Sequence, residues 1–300
     1  MIYRILCFVL LSLGATFARP PIINDARIIR NFENEAGAFA ESGEVPTVEV
    51  LQEGLKAPEG VPKLPEVEAP ASPLDSVFVI GSVYDCGKCD RWHPSSFATA
   101  WVMSSDGILC TNYHVVNNFK GGAVAVASWD GKVYPVTKIL MVDQANDIAI
   151  IKVEAEGLQP LPMAKEAAEI GTEISCLSHP RQQFFHSTFG EVARYHNKRG
   201  RRRRGAPQVA QMSITADFAS GSSGGPILNE QNEVVGMVVS TFSVYSQKIG
   251  EAQKEHLQMV FKSCAPAFVI QELMAEAGKS QEEDGKKEEE PSEENEGQEL

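Results

Sequence analysis

The chain has 300 residues, 43% of them hydrophobic, and a formal net charge of −13. Divided along the chain, residues 19–72 hold 5 basic and 10 acidic side chains, residues 279–300 hold 3 and 10, and residues 73–278 hold 18 and 20. A nearly neutral centre excludes a dedicated nucleic-acid binder built on a basic surface, and no run approaches the roughly 18 continuous apolar residues of a membrane span.

At the start, Arg4 precedes an apolar run from Ile5 to Leu13, and Thr16-Phe17-Ala18 offers a small-residue cleavage site. Residues 1–18 therefore read as a secretory signal peptide, and the mature protein is expected to be exported, periplasmic or extracellular. Residues 19–74 mix Glu, Pro, Gly and Ala with few aromatics, a composition that predicts a flexible linker.

The β-rich part begins with SVFVIGSV (76–83), FATAWVM (97–103) and ILCTNYHVV (108–116), the last two joined by the turn pair Asp106-Gly107. Between the first two lies YDCGKCDRWH, which sets Cys86, Cys89 and His93 close together. Paired thiols or a local disulfide, a zinc site and a redox motif are all open readings of it. The local sequence supplies three ligands where a structural zinc site takes four, so no metal or cofactor is expected. GAVAVASW and KVYPVTKILMV follow, joined by Asp130-Gly131, and then DIAIIKV (147–153). Further strands are predicted over 173–178, 188–195, 208–215, 233–241 and 257–261.

Cys110 and Cys176 fall inside apolar strands and read as buried, inert thiols. Residues 198–204 carry six basic side chains in a loop between two predicted strands, able to contact the acidic tail 279–300 or an anionic polymer. A helix is expected over 263–278, with Ser263 as its N-cap, Pro266 in its first turn and Gly278 as its stop. The tail 279–300 reads as disordered. No internal repeat is visible, and the many short strands make residues 75–278 one all-β domain, a barrel or a sandwich.

The stretch ADFASGSSGGPILN (216–229) packs glycine and serine more densely than a simple turn needs. A serine hydroxyl becomes a nucleophile only when a base takes its proton and a third group orients that base. Among six histidines, His114 alone ends a β-run, after Thr111-Asn112. Asp147 opens an apolar run, where a carboxylate is costly to bury without a partner. Glycines at 221, 224 and 225 allow the sharp backbone that aims successive N–H groups at one spot.

TNYHVV, NDIAIIKV and GSSGGPI, in that order, resemble the His, Asp and Ser boxes of trypsin-like serine peptidases, closest to the bacterial HtrA/Deg branch. The resemblance covers roughly residues 76–262 and implies two six-stranded β-barrels. It implies Ser223 as nucleophile, His114 as general base and acid, and Asp147 as orienter, with an oxyanion hole from the N–H groups of Gly221 and Ser223. Protein or peptide substrates and no cofactor follow from it. Asp217, six residues before Ser223, and Ser240 are the corresponding candidates for substrate binding, although Asp217 fits a structural hydrogen-bonding role better. The competing expectation is a protease fold that binds peptides or unfolded clients without cleaving them. Assembly into a homo-oligomer is left open, and the PDZ domains common in that branch are not expected here.

Overall fold

Strand VFVIGSVYD alternates large apolar side chains with period two, yet seven of its nine residues are buried, so both of its faces are covered. The computed structural model, which describes residues 20–198, 208–249 and 253–288, shows what covers them. In chain order the elements are α1 (Asp25–Ser42), α2 (Val48–Glu53), β1 (Val77–Asp85), β2 (Trp92–Ser104), β3 (Ile108–Thr111), α3 (Tyr113–Asn118), β4 (Val124–Ala127), β5 (Val133–Asp143) and β6 (Ile148–Val153). They continue with β7 (Glu173–Ser178), β8 (His186–Asn197), β9 (Ala210–Ile214), β10 (Pro226–Leu228), β11 (Val234–Ile249), β12 (Gln253–Pro266) and α4 (Ala267–Glu288).

These strands close into two antiparallel barrels, ordered β1-β2-β3-β6-β5-β4 and β7-β8-β9-β12-β11-β10. The two-barrel expectation holds. The second barrel repeats the strand order of the first, a repeat carried by topology with no trace in the residues.

Alternation sorts the apolar side chains into three layers. Phe78, Ile80, Ala100, Leu109, Val126 and Ile151 fill the first barrel. Ile174, Cys176, Met212, Ile227 and Val238 fill the second. The opposite faces of the same strands, through Val77, Val79, Trp101, Cys110, Ile150, Leu177, Leu228 and Met237, form a third layer between and outside the barrels. Helices α1 and α4 complete that layer with Ile28, Phe32, Ala36, Val269 and Ile270.

Helix α1 corrects the reading of residues 19–74 as a flexible linker. Asn24 caps it by accepting the Arg27 N–H at 3.0 Å, and Gly43 ends it at φ 66°. Ile28, Phe32 and Ala36, spaced four apart, are fully buried. Averaging Glu and Gly over the whole stretch hid this stripe. Helix α2 follows it, and residues 54–72 run on without regular structure.

The C-terminal end differs too. Ser263 lies in β12 opposite Ser240 and caps nothing, because the strand continues to Pro266. Helix α4 passes Gly278 and reaches Glu288, into the tail expected to be disordered. Residues 1–18, the basic positions 199–204 and residues 289–300 lie outside the described residues.

Candidate active site

The Asp106-Gly107 and Asp130-Gly131 turns form as expected, with Gly107 at φ 93° and Gly131 at φ 84°. ILCTNYHVV does not run through as a strand. It stops at Thr111, and Tyr113–Asn118 coil into α3. His114 therefore stands in the first turn of a short helix, where its backbone N–H needs an acceptor from outside. Asn112, the N-cap, does not supply one. Its amide instead donates to the Asp147 carbonyl at 2.9 Å, and the Asp147 carboxylate takes over the cap, accepting the His114 N–H on Oδ1 at 2.8 Å.

The second carboxylate oxygen of Asp147 lies 2.6 Å from His114 Nδ1, and His114 Nε2 lies 3.0 Å from Ser223 Oγ. With its proton on Nδ1 the imidazole donates to Asp147 and presents a bare Nε2 to the serine hydroxyl. Asp147 is buried and sits at φ 62°, a left-handed conformation that Asp tolerates better than most residues. His114 and Asp147 belong to the first barrel and Ser223 to the loop before β10 of the second, so the three meet across the barrel interface.

The serine loop is shaped by glycine. Gly221 has φ 98°, and a Cβ there would lie 2.4 Å from the His179 carbonyl oxygen. Gly224 has φ 82°, and a Cβ there would lie 2.1 Å from the Thr99 carbonyl oxygen. No other residue fits either place. The Ser220 carbonyl accepts the Arg181 N–H at 2.7 Å, and the N–H groups of Gly221 and Ser223 donate to no acceptor among the described residues. Neighbouring Ser222 is fully buried and accepts from Ser178 Oγ at 2.9 Å, so it has no access to a substrate.

Some of the supporting residues carry no sequence signal. Thr99 of β2 donates its N–H to the Ser223 carbonyl and its hydroxyl to the Gly221 carbonyl, at 2.9 and 3.0 Å. His179 is buried, and its Nδ1 accepts the Phe185 N–H at 2.9 Å. Desolvation pushes its pKa down to about 3, so it is neutral at working pH. Around it the segment 180–185 turns through left-handed conformations at Arg181, Gln182 and Phe185. Phe184 of that segment donates its N–H to Asp25 of α1 at 3.2 Å and stacks edge-on against Phe97, which stacks on Phe32. A strained loop beside the serine thus leans on the N-terminal helix.

The substrate-binding candidates fare differently. The Asp217 side chain is 84% exposed and paired at 2.6 Å with Lys262, itself only 12% exposed. A carboxylate at the base of a specificity pocket has to be enclosed, so Asp217 does not take that place. Its carbonyl instead accepts from Thr188, the structural role left open for it. Ser240 is exposed on β11. Cys110, Cys176 and Cys264 are buried, and burial raises all three thiols, Cys176 to about 11.

Residues 98–237 match the family described as trypsin-like peptidase domain. The anti-sigma-I factor RsgI9 of Acetivibrio thermocellus is 28% identical over 196 residues, 65% of this chain and 25% of that protein. The serine protease HTRA1 of Xenopus laevis is 31% identical over 153 residues, 48% of this chain and 31% of that protein. The chain thus spans about a quarter to a third of the length of these curated relatives. Among solved structures, an inactive serine-to-alanine mutant of Rv3671c from M. tuberculosis H37Rv superposes with a TM-score of 0.51 at 22% identity, covering 72% of this chain and 98% of that one. Residues 98–237 thus match a trypsin-like peptidase domain, set in a two-barrel fold, and about half of the chain is similar in sequence to HtrA serine proteases.

Proposed function

We propose that the protein is an exported serine endopeptidase that hydrolyses peptide bonds of proteins through an acyl-enzyme. The observation that carries this reading is the position of the His114 ring, 2.6 Å from Asp147 and 3.0 Å from Ser223. His114 Nε2 accepts the Ser223 proton as Oγ attacks the substrate carbonyl. The imidazolium that forms is stabilised by Asp147, which keeps its own charge. The N–H groups of Gly221 and Ser223 receive the oxyanion, and His114 then returns its proton to the leaving amine. Water enters the emptied site, gives a proton to the same nitrogen and attacks the acyl carbon. The acid leaves as the C–O bond to Ser223 breaks, and the proton returns to Oγ. Export rests on the signal-like residues 1–18.

A fluorophosphonate probe tests the reading, because only an activated serine reacts with it. The purified chain should label, Ser223→Ala should not, and Ser222→Ala should still label. A folded wild-type protein that neither labels nor cleaves casein would favour the peptide-binding alternative.

A further inference from the structure

Cys86, Cys89 and His93 occupy the tip of the β1–β2 hairpin, whose last paired residues are Asp85 and Trp92. Cys86 Sγ lies 3.4 Å from Cys89 Sγ, and Cys89 Sγ lies 3.1 Å from His93 Nε2. The three ligand atoms all fall within 4.8 Å of one another. A tetrahedral zinc ion with Zn–S of about 2.3 Å and Zn–N of about 2.0 Å would hold sulfurs roughly 3.8 Å apart and sulfur and nitrogen roughly 3.5 Å apart. The observed spacings need to open by only a few tenths of an ångström. A disulfide would need the sulfurs to close to about 2.05 Å and would leave the convergence of His93 without purpose.

The loop is built around the first sulfur. Gly87 takes φ 63°, and its N–H donates to Asp85 Oδ1 at 2.7 Å. His93 is steadied by the Tyr84 ring, 5.8 Å away across the strands.

We infer that Cys86, Cys89 and His93 bind one zinc ion, with water at the fourth position. Binding displaces the two thiol protons to solvent and changes no oxidation state. The ion closes the hairpin next to Trp92, which packs against α1: a Cβ at Gly37 would lie 2.7 Å from the indole, and the indole N–H donates to Glu41 at 2.9 Å. Zinc thereby fastens the β1–β2 tip against the C-terminal half of α1.

The test uses the full chain, reduced, loaded with zinc or cobalt(II) and freed of excess metal. One metal per chain is expected, with a thiolate-to-cobalt charge-transfer band, and the zinc form should melt higher than the chelated form. Cys86→Ser/Cys89→Ser should lose the metal, the band and the zinc-dependent gain in melting temperature while keeping the far-ultraviolet circular dichroism of the wild type. His93→Gln should weaken binding and shift the cobalt spectrum, since a nitrogen ligand is lost. The buried Cys110, Cys176 and Cys264 stay intact in both variants. Failure of the reduced chain to hold metal would overturn the proposal, as would binding unaffected by the serine pair or a Cys86–Cys89 disulfide that persists in reductant. None of these outcomes depends on whether Ser223 is reactive.

Discussion

Thr99 holds Ser223 from the other barrel: its N–H reaches the Ser223 carbonyl at 2.9 Å, and its hydroxyl reaches the Gly221 carbonyl at 3.0 Å. A fully buried threonine thus fixes both ends of the segment from which the oxyanion hole is proposed to be made. Thr99→Val keeps the shape and the backbone bond but leaves the Gly221 carbonyl without its partner. Urea unfolding should show a loss of about 1–3 kcal/mol, the cost of stranding a buried acceptor. Fluorophosphonate labelling should slow as well, and Thr99→Ser should restore both.

Asp147→Asn tests the tautomer. The carboxylate accepts the His114 backbone N–H on one oxygen and Nδ1–H on the other. With Oδ1 kept on the backbone N–H, the new amide nitrogen faces Nδ1 as a donor and drives the imidazole proton to Nε2. That nitrogen can then no longer accept from Ser223. Peptide hydrolysis should fall by several orders of magnitude in kcat with little change in KM, while the melting temperature moves much less. Unchanged kcat would show that His114 is not the base.

His179 makes stability fall in acid. Its folded pKa of about 3 lies below the ordinary histidine value, because burial disfavours the imidazolium. Below about pH 6.5 the unfolded chain takes up a proton that the folded chain refuses. The contribution is therefore complete above that pH and is lost as pH falls towards 3. At one pKa unit per 1.36 kcal/mol, the loss between pH 6.5 and pH 5 is on the order of 2 kcal/mol. Urea midpoints measured across this window should fall less in His179→Gln than in wild type. Parallel curves would mean that another group carries the acid sensitivity.

Phe32→Ala measures what α1 contributes. The ring is fully buried between the helix and the first barrel and stacks on Phe97 at 5.1 Å. Emptying that place should cost about 3–5 kcal/mol, seen as a lower denaturant midpoint. The same substitution at Phe39, which is only partly buried, should cost less.

The candidate site was legible in the residues because the proposed chemistry needs particular types in a particular order. His114, Asp147, Ser223 and the glycines at 221 and 224 each answer a requirement that few residues meet, and both glycines stand where a Cβ would collide with backbone oxygen. Thr99 and His179 were not legible, since a threonine in a strand and a histidine after one are ordinary until the fold sets them beside the serine loop. Helix α1 was missed for another reason: its buried stripe of Ile28, Phe32 and Ala36 is diluted by glutamates on the exposed face. Asp217 misled because sequence distance from Ser223 does not say which way a side chain points, and Lys262 draws it outward.

Each barrel closes on strands contiguous in the chain, 77–153 for the first and 173–266 for the second. A chain made from its N-terminus can complete the first barrel while the second is still emerging. At that stage it holds His114 and Asp147 with no serine before them. The constellation comes into being only when the second barrel docks and the Ser223 carbonyl finds Thr99. On the proposed reading, latency during biosynthesis follows from the division of three side chains between two halves, since neither barrel alone holds all of them.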